Sequence, residues 1–371
     1  MSNIVKDYRT ILTLDAGGTN FVFQAVRDGK ILEPGITLSA RQHTLIDLLN
    51  TVVEGFESLM LHLKLKANAI SFCFPGPSDF KAGIIGDLQN LPLFRGGVAL
   101  KAMLENHFDI PVFINNDGDL FTYGEAKSGF LPRVNRLLEE AGNEKRYQNL
   151  LGITLGTGFG GGVVIGDTLL EGDNSSGGEI NRMRNIMYPN TSVEDSLSIR
   201  AVRRIYAREA RIKISESPTP KEIFEIGMGQ HPGNVHAAKR AFDELAVVCG
   251  EATANAATIV DGLVVIGGGL ANAYPLFLDK MVEQMNRRFE TMNGEFLERL
   301  EVKVYNLENP IDLEKFLKDD SHKISVPFTD VRISYNPVKK IGVGITEMGT
   351  SKAVATGAYD YAIQQLEKIG R

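Results

Sequence analysis

Hydrophobic and polar positions follow two rhythms along this chain. Short apolar runs with a strand-like period end repeatedly in glycine, and between them lie longer segments with apolar residues every third or fourth position. The first run, Ile11, Leu12 and Leu14, enters Asp15-Ala-Gly-Gly-Thr19, and a second β-prone run, Phe21 to Val26, leaves toward an Asp28-Gly29 hairpin turn. Residues 150–167 repeat that grammar: a strand, a Gly156-Thr157-Gly158 turn, a second strand and a Gly166-Asp167 turn. Residues 261–277 form a third cluster, a strand ending in Gly267-Gly268-Gly269 and leading into a helix that continues as LDKMVEQMNRRFE.

The intervening chain reads as α/β. Leu45, Leu48, Leu49, Val52, Val53, Phe56 and Leu59 give Thr44–Lys64 a helical period. Ala69–Phe74 is a strand stopped by Pro75-Gly76-Pro77, and Ile110–Ile114 is a buried strand ending in Asn115-Asn116-Asp117. Further helices are expected at Leu120–Ser128, Ala201–Ile214, Ala237–Ile259 and Lys352–Leu366. Residues 131–149 and about 295–340 are charged and irregular and read as insertions or surface excursions.

Composition narrows the classes. At 371 residues, the chain has room for about two domains of ~150 residues each. With 40 Lys and Arg against 46 Asp and Glu, the net charge of −6 supplies no basic field for nucleic acid or anionic lipid. Two cysteines, Cys73 and Cys249, cannot staple a disulfide scaffold and suit a reducing compartment. Tyr147–Gly166 is uncharged over the length of a membrane span, but its seven glycines mark turns instead. The opening MSNIVKDYRT lacks the regions of a signal peptide, so a cytoplasmic protein is expected. The 38 glycines, about one residue in ten, are the most informative count.

Glycine turns after strands let backbone N–H groups approach anionic oxygens, because no Cβ stands in the way. The first two clusters lie 141 residues apart, Asp15 to Gly156, which suggests a duplicated unit holding one polyphosphate between two turns. Gly156-x-Gly158-x-x-Gly161 matches a dinucleotide fingerprint formally, but a strand follows it where that motif opens a helix. No Walker sequence occurs. Asp117, after a buried strand, is placed either as a general base for a substrate hydroxyl or as the N-cap of the next helix. Asp15 fits a magnesium ion held through water or an Asx-type turn. Glu179, in Ser-Ser-Gly-Gly-Glu-Ile-Asn, fits hydrogen bonds to sugar hydroxyls or plain exposure. The six histidines show no metal-ligand spacing.

The ordered set Asp15-x-Gly17-Gly18-Thr19, Pro75-Gly76-Pro77-x-Asp79, Asn90-Leu-Pro92, Asn116-Asp117, Leu155-Gly156-Thr157-Gly158-x-Gly-Gly161, Gly178-Glu179-Ile180 and Gly267-Gly268-Gly269 resembles the ROK family of bacterial sugar kinases and sugar-responsive repressors. The resemblance covers roughly residues 9–275 and 341–366 and implies a two-lobed actin-like, ribonuclease H-like ATPase fold with a central cleft. It implies an N-terminal lobe of residues 1–116 plus 351–371 and a C-terminal lobe of 117–350. Asp117 is then the base for the 6-hydroxyl of a hexose or N-acetylhexosamine, in a glucokinase-like ATP-dependent transfer. Gly76, Asn90, Asn116, Glu179 and Glu194 bind the sugar. Asp15, Gly17, Gly18 and Thr19 face Mg²⁺ and the transferring phosphate. Gly156, Thr157 and Gly158 form the second phosphate turn, and Gly268 and Gly269 lie against adenosine.

One departure stands out. Family kinases continue Gly-Glu-Ile-Gly-His, where the histidine touches sugar and helps to hold a structural zinc. Here Asn181-Arg182 follows Ile180, and the cysteine-rich zinc loop is absent. The expectation is no zinc and a sugar pocket altered at Arg182, whose planar fork suits oxygens unless it points to solvent. Expected partners are a small sugar and a second copy in a homodimer, with neither nucleic acid nor membrane. The alternative readings are a ROK-type sugar-responsive regulator and a non-catalytic sugar-binding protein. Few residues precede the first strand where a DNA-binding helix-turn-helix belongs, and retained Asp15 and Asp117 speak for catalysis.

Overall fold

A computed structural model describes residues 7–16, 20–74, 76, 78–86 and 92–370. The chain forms two compact units. The first takes in the chain up to Ser128, a short return at Leu169–Gly178, and Met348–Arg371. It opens with an antiparallel meander, β1 (Thr10–Ala16), β2 (Asn20–Arg27) and β3 (Lys30–Ser39), followed by α1 (Leu45–Leu63). Thr44 caps α1 by accepting the Asp47 amide, and Lys64 ends it in the left-handed region at φ 49°. Next come β4 (Ala69–Cys73), the antiparallel pair of two-residue strands β5 (Ile84–Ile85) and β6 (Val98–Ala99), α2 (Leu100–Phe108), β7 (Val112–Asn115) and α3 (Asp117–Lys127).

The sheet order is β3-β2-β1-β4-β7, with β1, β4 and β7 parallel. β4 is buried along its whole length, as a central parallel strand covered on both faces must be. Its core is aromatic: Phe56 of α1 meets Phe23 at 5.0 Å and Phe72 at 6.2 Å between ring centroids.

The second unit, Gly129–Thr168 and Glu179–Glu347, begins with α4 (Phe130–Glu140). Then follow β8 (Leu150–Leu155), β9 (Phe159–Ile165) and β10 (Thr168–Leu169), α5 (Ile199–Ala210), α6 (Pro220–Gly227), the long α7 (Val235–Val260) and β11 (Leu263–Gly267). The chain continues through α8 (Leu278–Met285), the hairpin β12 (Arg288–Glu290) and β13 (Phe296–Glu298), β14 (Lys303–Asn306) and α9 (Pro310–Leu317). The hairpin β15 (His322–Ser325) and β16 (Arg332–Tyr335) precedes β17 (Lys340–Ile345), and α10 (Thr350–Lys368) returns to the first unit. The second sheet runs β10-β9-β8-β11-β17-β14. Its first five strands repeat the connectivity of the first sheet: three antiparallel in meander, then two parallel. The spacing between Asp15 and Gly156 thus corresponds to equivalent ends of β1 and β8.

Several expectations change. The first half of residues 131–149 is helix: Phe130, Leu131, Val134 and Leu138 are buried in α4, while its charges occupy the opposite face. The 295–340 region supplies β14, an integral edge strand of the second sheet, and α9, capped by Asn309. The helix after the third glycine cluster stops at Met285, because the Asn286 side chain pairs with the Val304 backbone at 2.9 and 3.0 Å. The helix expected to reach Ile214 ends at Ala210, where Arg211 adopts φ 58°. The helix expected from Leu120 begins at Asp117.

The first unit's opening stretch runs to Ser128 and includes α3. α3 and α10 meet backbone to backbone within the first unit. A Cβ on Gly357 would lie 1.9 Å from the Leu120 carbonyl oxygen, and one on Gly124 would lie 2.1 Å from that of Ala353. Only hydrogen side chains permit this crossing, and it ties α3 to the C-terminal helix.

Candidate active site

The parallel register of β1, β4 and β7 aligns their carboxyl ends in a row, where α/β sheets place ligands. Asp15 is the penultimate residue of β1, Cys73 ends β4 and Asn115 ends β7. The Asn116 side chain, not that of Asp117, caps α3: its Oδ1 accepts the Gly118 amide at 2.7 Å. Asp117 is therefore the first residue of the helix, and its own Oδ1 also accepts the Gly118 amide, at 2.8 Å.

Asp117 keeps a face open to solvent, but protein fills most of the volume around its carboxylate. That loss of hydration raises its pKa above the ordinary value; the Gly118 amide and its own backbone oppose the rise, and the charge of Asp15 adds to it. Beneath the pair, burial pushes the Cys73 thiol strongly up, and the carboxylates of Asp117 and Asp15 push it further. Cys73 is thus a neutral floor. Two carboxylates in mutual electrostatic range at strand ends are a suitable donor set for a hydrated divalent cation, which takes one or two carboxylates and keeps waters. Among the described residues no group of three or more His, Cys, Asp or Glu suits a metal ion.

Gly76 is brought against this site: a Cβ there would lie 3.1 Å from Asn116 Nδ2. Asp79 turns the chain just beyond, its Oδ1 accepting the Ala82 amide at 2.9 Å. Gly17, Gly18, Thr19 and Asn90 lie outside the described residues.

In the second unit, β8, β11 and β17 are parallel and their carboxyl ends also align. This gathers the second and third glycine clusters. Gly268, at φ 90°, sits where a Cβ would fall 2.2 Å from the Leu155 carbonyl oxygen, which instead accepts the Leu270 amide at 2.9 Å. Gly156 and Gly269 face open space, and Thr157 is exposed. Gly158 faces Glu194, whose Oε1 would lie 2.5 Å from a Cβ at that position. Ile199 donates its amide to the Gly156 carbonyl at 2.9 Å, anchoring the turn to the start of α5.

Glu179 precedes a 3₁₀ turn over Ile180–Arg182, and its carbonyl accepts the Arg182 amide at 3.2 Å. Arg182 is exposed, and Asn181 holds a buried side-chain oxygen without a hydrogen-bond partner. The segment beyond, 183–197, is closed by Asn185, fully buried, whose Oδ1 accepts the amides of Met187 and Tyr188 at 2.9 and 3.2 Å. The glycines at 124 and 357 and the asparagine at 185 are structural determinants that motif reading passes over. An isolated glycine inside an otherwise helical pattern is the signal that marks the first two.

The statistical model of the ROK family matches residues 11–309. The chain belongs to the ROK family. The crystal structure of a glucokinase from Parabacteroides distasonis superposes with a TM-score of 0.89 at 48% identity, covering 96% of this chain and 98% of that one. The N-acetylmannosamine kinase of Haemophilus influenzae is 29% identical over 297 residues, 73% of this chain and 85% of that protein. The glucokinase of Streptomyces coelicolor is 26% identical over 205 residues, 51% of this chain, and the match spans 61% of that relative's length. The family and the superposed glucokinase assign this ROK protein a two-lobed actin-like ATPase fold, in keeping with its repeated sheet connectivity.

Proposed function

We propose that this ROK protein is an ATP-dependent sugar kinase that phosphorylates the 6-hydroxyl of a hexose or N-acetylhexosamine. The observation carrying this reading is the placement of Asp15 and Asp117 at the carboxyl ends of β1 and β7, on either side of β4 in one parallel register, with Asn116 and Gly76 beside Asp117. The glucokinase and N-acetylmannosamine kinase names of its relatives support the substrate class.

Asp117 acts as general base, and the desolvation that raises its pKa also strengthens it as a proton acceptor. Its fixed place at the start of α3 orients the carboxylate before substrate arrives, since Gly118 holds one oxygen. Asn116, Gly76 and Asn90 are assigned to the sugar, as are Glu179, Glu194 and Arg182 of the second unit. Asp15, with Gly17, Gly18 and Thr19, would hold hydrated Mg²⁺ and the γ-phosphate. When bound, the cation supplies charge neutralisation to the transferring phosphoryl group. Gly156, Thr157 and Gly158 are assigned to the other phosphates, and Gly268 and Gly269 to adenosine; the open space at Gly156 and Gly269 suits a ligand that must approach backbone. The protein works as a homodimer in the cytoplasm and needs no zinc.

The test is ADP release from ATP and Mg²⁺ with glucose, mannose, fructose, N-acetylglucosamine, N-acetylmannosamine and allose in turn, with Asp117→Asn alongside. Turnover on at least one sugar, lost in the variant, is expected. Absence of turnover on every sugar overturns the kinase reading, and full activity in the variant overturns the base assignment.

A further inference from the structure

A buried carboxylate in α7 has no part in the site described so far, yet it organises the segment that carries Glu194. Glu244 is 3% exposed. A buried carboxylate is retained only where donors surround it, because the loss of hydration must be offset. Here there are three. Arg208 Nη2 of α5 donates to its Oε2 at 3.0 Å, the Tyr188 hydroxyl donates to the same oxygen at 3.2 Å, and Ser196 Oγ donates to Oε1 at 3.4 Å. Arg208 Nη1 also donates to the Tyr188 hydroxyl at 2.8 Å, which aims that hydroxyl's own proton at Glu244. Ser196 in turn accepts from Asn185 Nδ2 at 2.9 Å, so one carboxylate reaches both arms of the 183–197 segment.

Those arms lead to the second glycine turn. The Met183 carbonyl accepts the Val193 amide at 2.9 Å, and the Glu194 carbonyl accepts that of Leu197 at 3.2 Å. Ser196 follows Glu194 by two residues, and Ile199 follows Ser196 by three with its amide on the Gly156 carbonyl. Glu194 thus lies between two fixed points: the Ser196–Glu244 contact and the Ile199–Gly156 bond.

We propose that Glu244 is a positioning residue, which through Ser196, Tyr188 and Arg208 holds the Glu194 carboxylate against Gly158. This rests on the reading of Glu194 as a sugar contact. Glu244→Gln keeps the shape but makes one acceptor oxygen an amide donor facing Arg208 or Ser196. Ser196→Ala cuts the link to Glu194 while leaving the Glu244–Arg208 ion pair whole, so it serves if the first variant folds poorly.

Each variant is expected to raise the hexose KM about tenfold, with the ATP KM within about twofold, since misplacing a binding group by a fraction of an ångström weakens the contact it makes. In a Glu194→Gln background, the same changes are expected to add less than about twofold, because a residue acting through another has nothing left to position. Independent, multiplicative losses overturn the proposal, as does an equal rise in both KM values. Amide hydrogen exchange supplies a readout free of turnover. Faster exchange over 185–199, with the rest of the second unit unchanged, is expected in both variants, and unchanged exchange there overturns the clamp. If the wild-type chain turns over no sugar, the kinase reading falls while exchange still decides the clamp.

Discussion

At the residue scale, Asp117 makes opposing demands on activity and stability. On the proposed reading of Asp117 as the general base, replacing it with asparagine is expected to lower kcat about 10²–10⁴-fold in the ADP-release assay. The same change is expected to raise the melting temperature at neutral pH, since the folded state disfavours the ionised carboxyl. The raised folded pKa means that the folded state binds more protons than the unfolded one as the carboxyl titrates. Stability contributed by the neutral form is therefore lost as pH rises through the folded pKa. The advantage of the Asp117→Asn variant should vanish in acid, where both side chains are neutral. Melts of wild type and variant across pH 3–8 check this.

Asp360 behaves alike. Desolvation pushes it to about 6, against the pull of the Ser128 hydroxyl and the charge of Lys127. Asp360→Asn is expected to stabilise the protein above about pH 6 and to leave it unchanged near pH 3. Unlike Asp117→Asn, it should leave the acid limb of kcat/KM in place.

At the level of elements, the α3–α10 crossing fixes where Asp117 stands. Gly357→Ala forces a methyl group into the Leu120 carbonyl, 1.9 Å away, so the helices must separate. Overpacking of this kind costs about 1–3 kcal/mol and more when backbone is the obstacle, so a melting temperature lower by several degrees is expected. Activity should fall with it, because α3 carries Asp117 at its first position. Gly156→Ala is the contrasting case. Nothing lies within 4 Å of a Cβ there, so stability should stay within about 0.5 kcal/mol. If the turn receives phosphate, the ATP KM should rise while the melting temperature holds.

These elements also show how far sequence reasoning reaches. The glycine clusters, the strands beside them and the helix over Thr44–Lys64 stand out because period and turn residues are local properties. α4 hid behind Arg133, Arg136, Glu139 and Glu140: its apolar stripe has the right period, but the charges on its other face read as a surface excursion. β14 is four residues long and wins its place by pairing with β17, a partner more than thirty residues away.

On the scale of the whole molecule, the first unit is assembled from three separate stretches of chain. α10 buries Ala353, Ala358, Tyr359, Tyr361, Ala362 and Leu366, and Tyr359 and Ala362 share a hydrophobic cluster with Ile11, Val26 and Ala69. Tyr361 also reaches Glu171 in the short return segment, donating its hydroxyl to that carboxylate. Deleting 348–371 is therefore expected to unfold the first unit and spare the second. Limited proteolysis read by mass spectrometry should find cleavage throughout 7–128 and protection across 199–285.

By itself the sequence determined the local grammar: strands that end in glycine, carboxylates at strand ends, and the order of motifs that marks the ROK family. Such features depend on backbone stereochemistry and on neighbours a few residues apart. Tertiary structure alone decided that Asn116 rather than Asp117 caps α3, that α3 belongs with α10 through two glycines 233 positions apart, and that Glu244 meets Ser196 across 48 positions of chain. Each of these rests on which surfaces meet when distant segments pack, and the cost of a clash or an unpaired buried charge exists only once they have met.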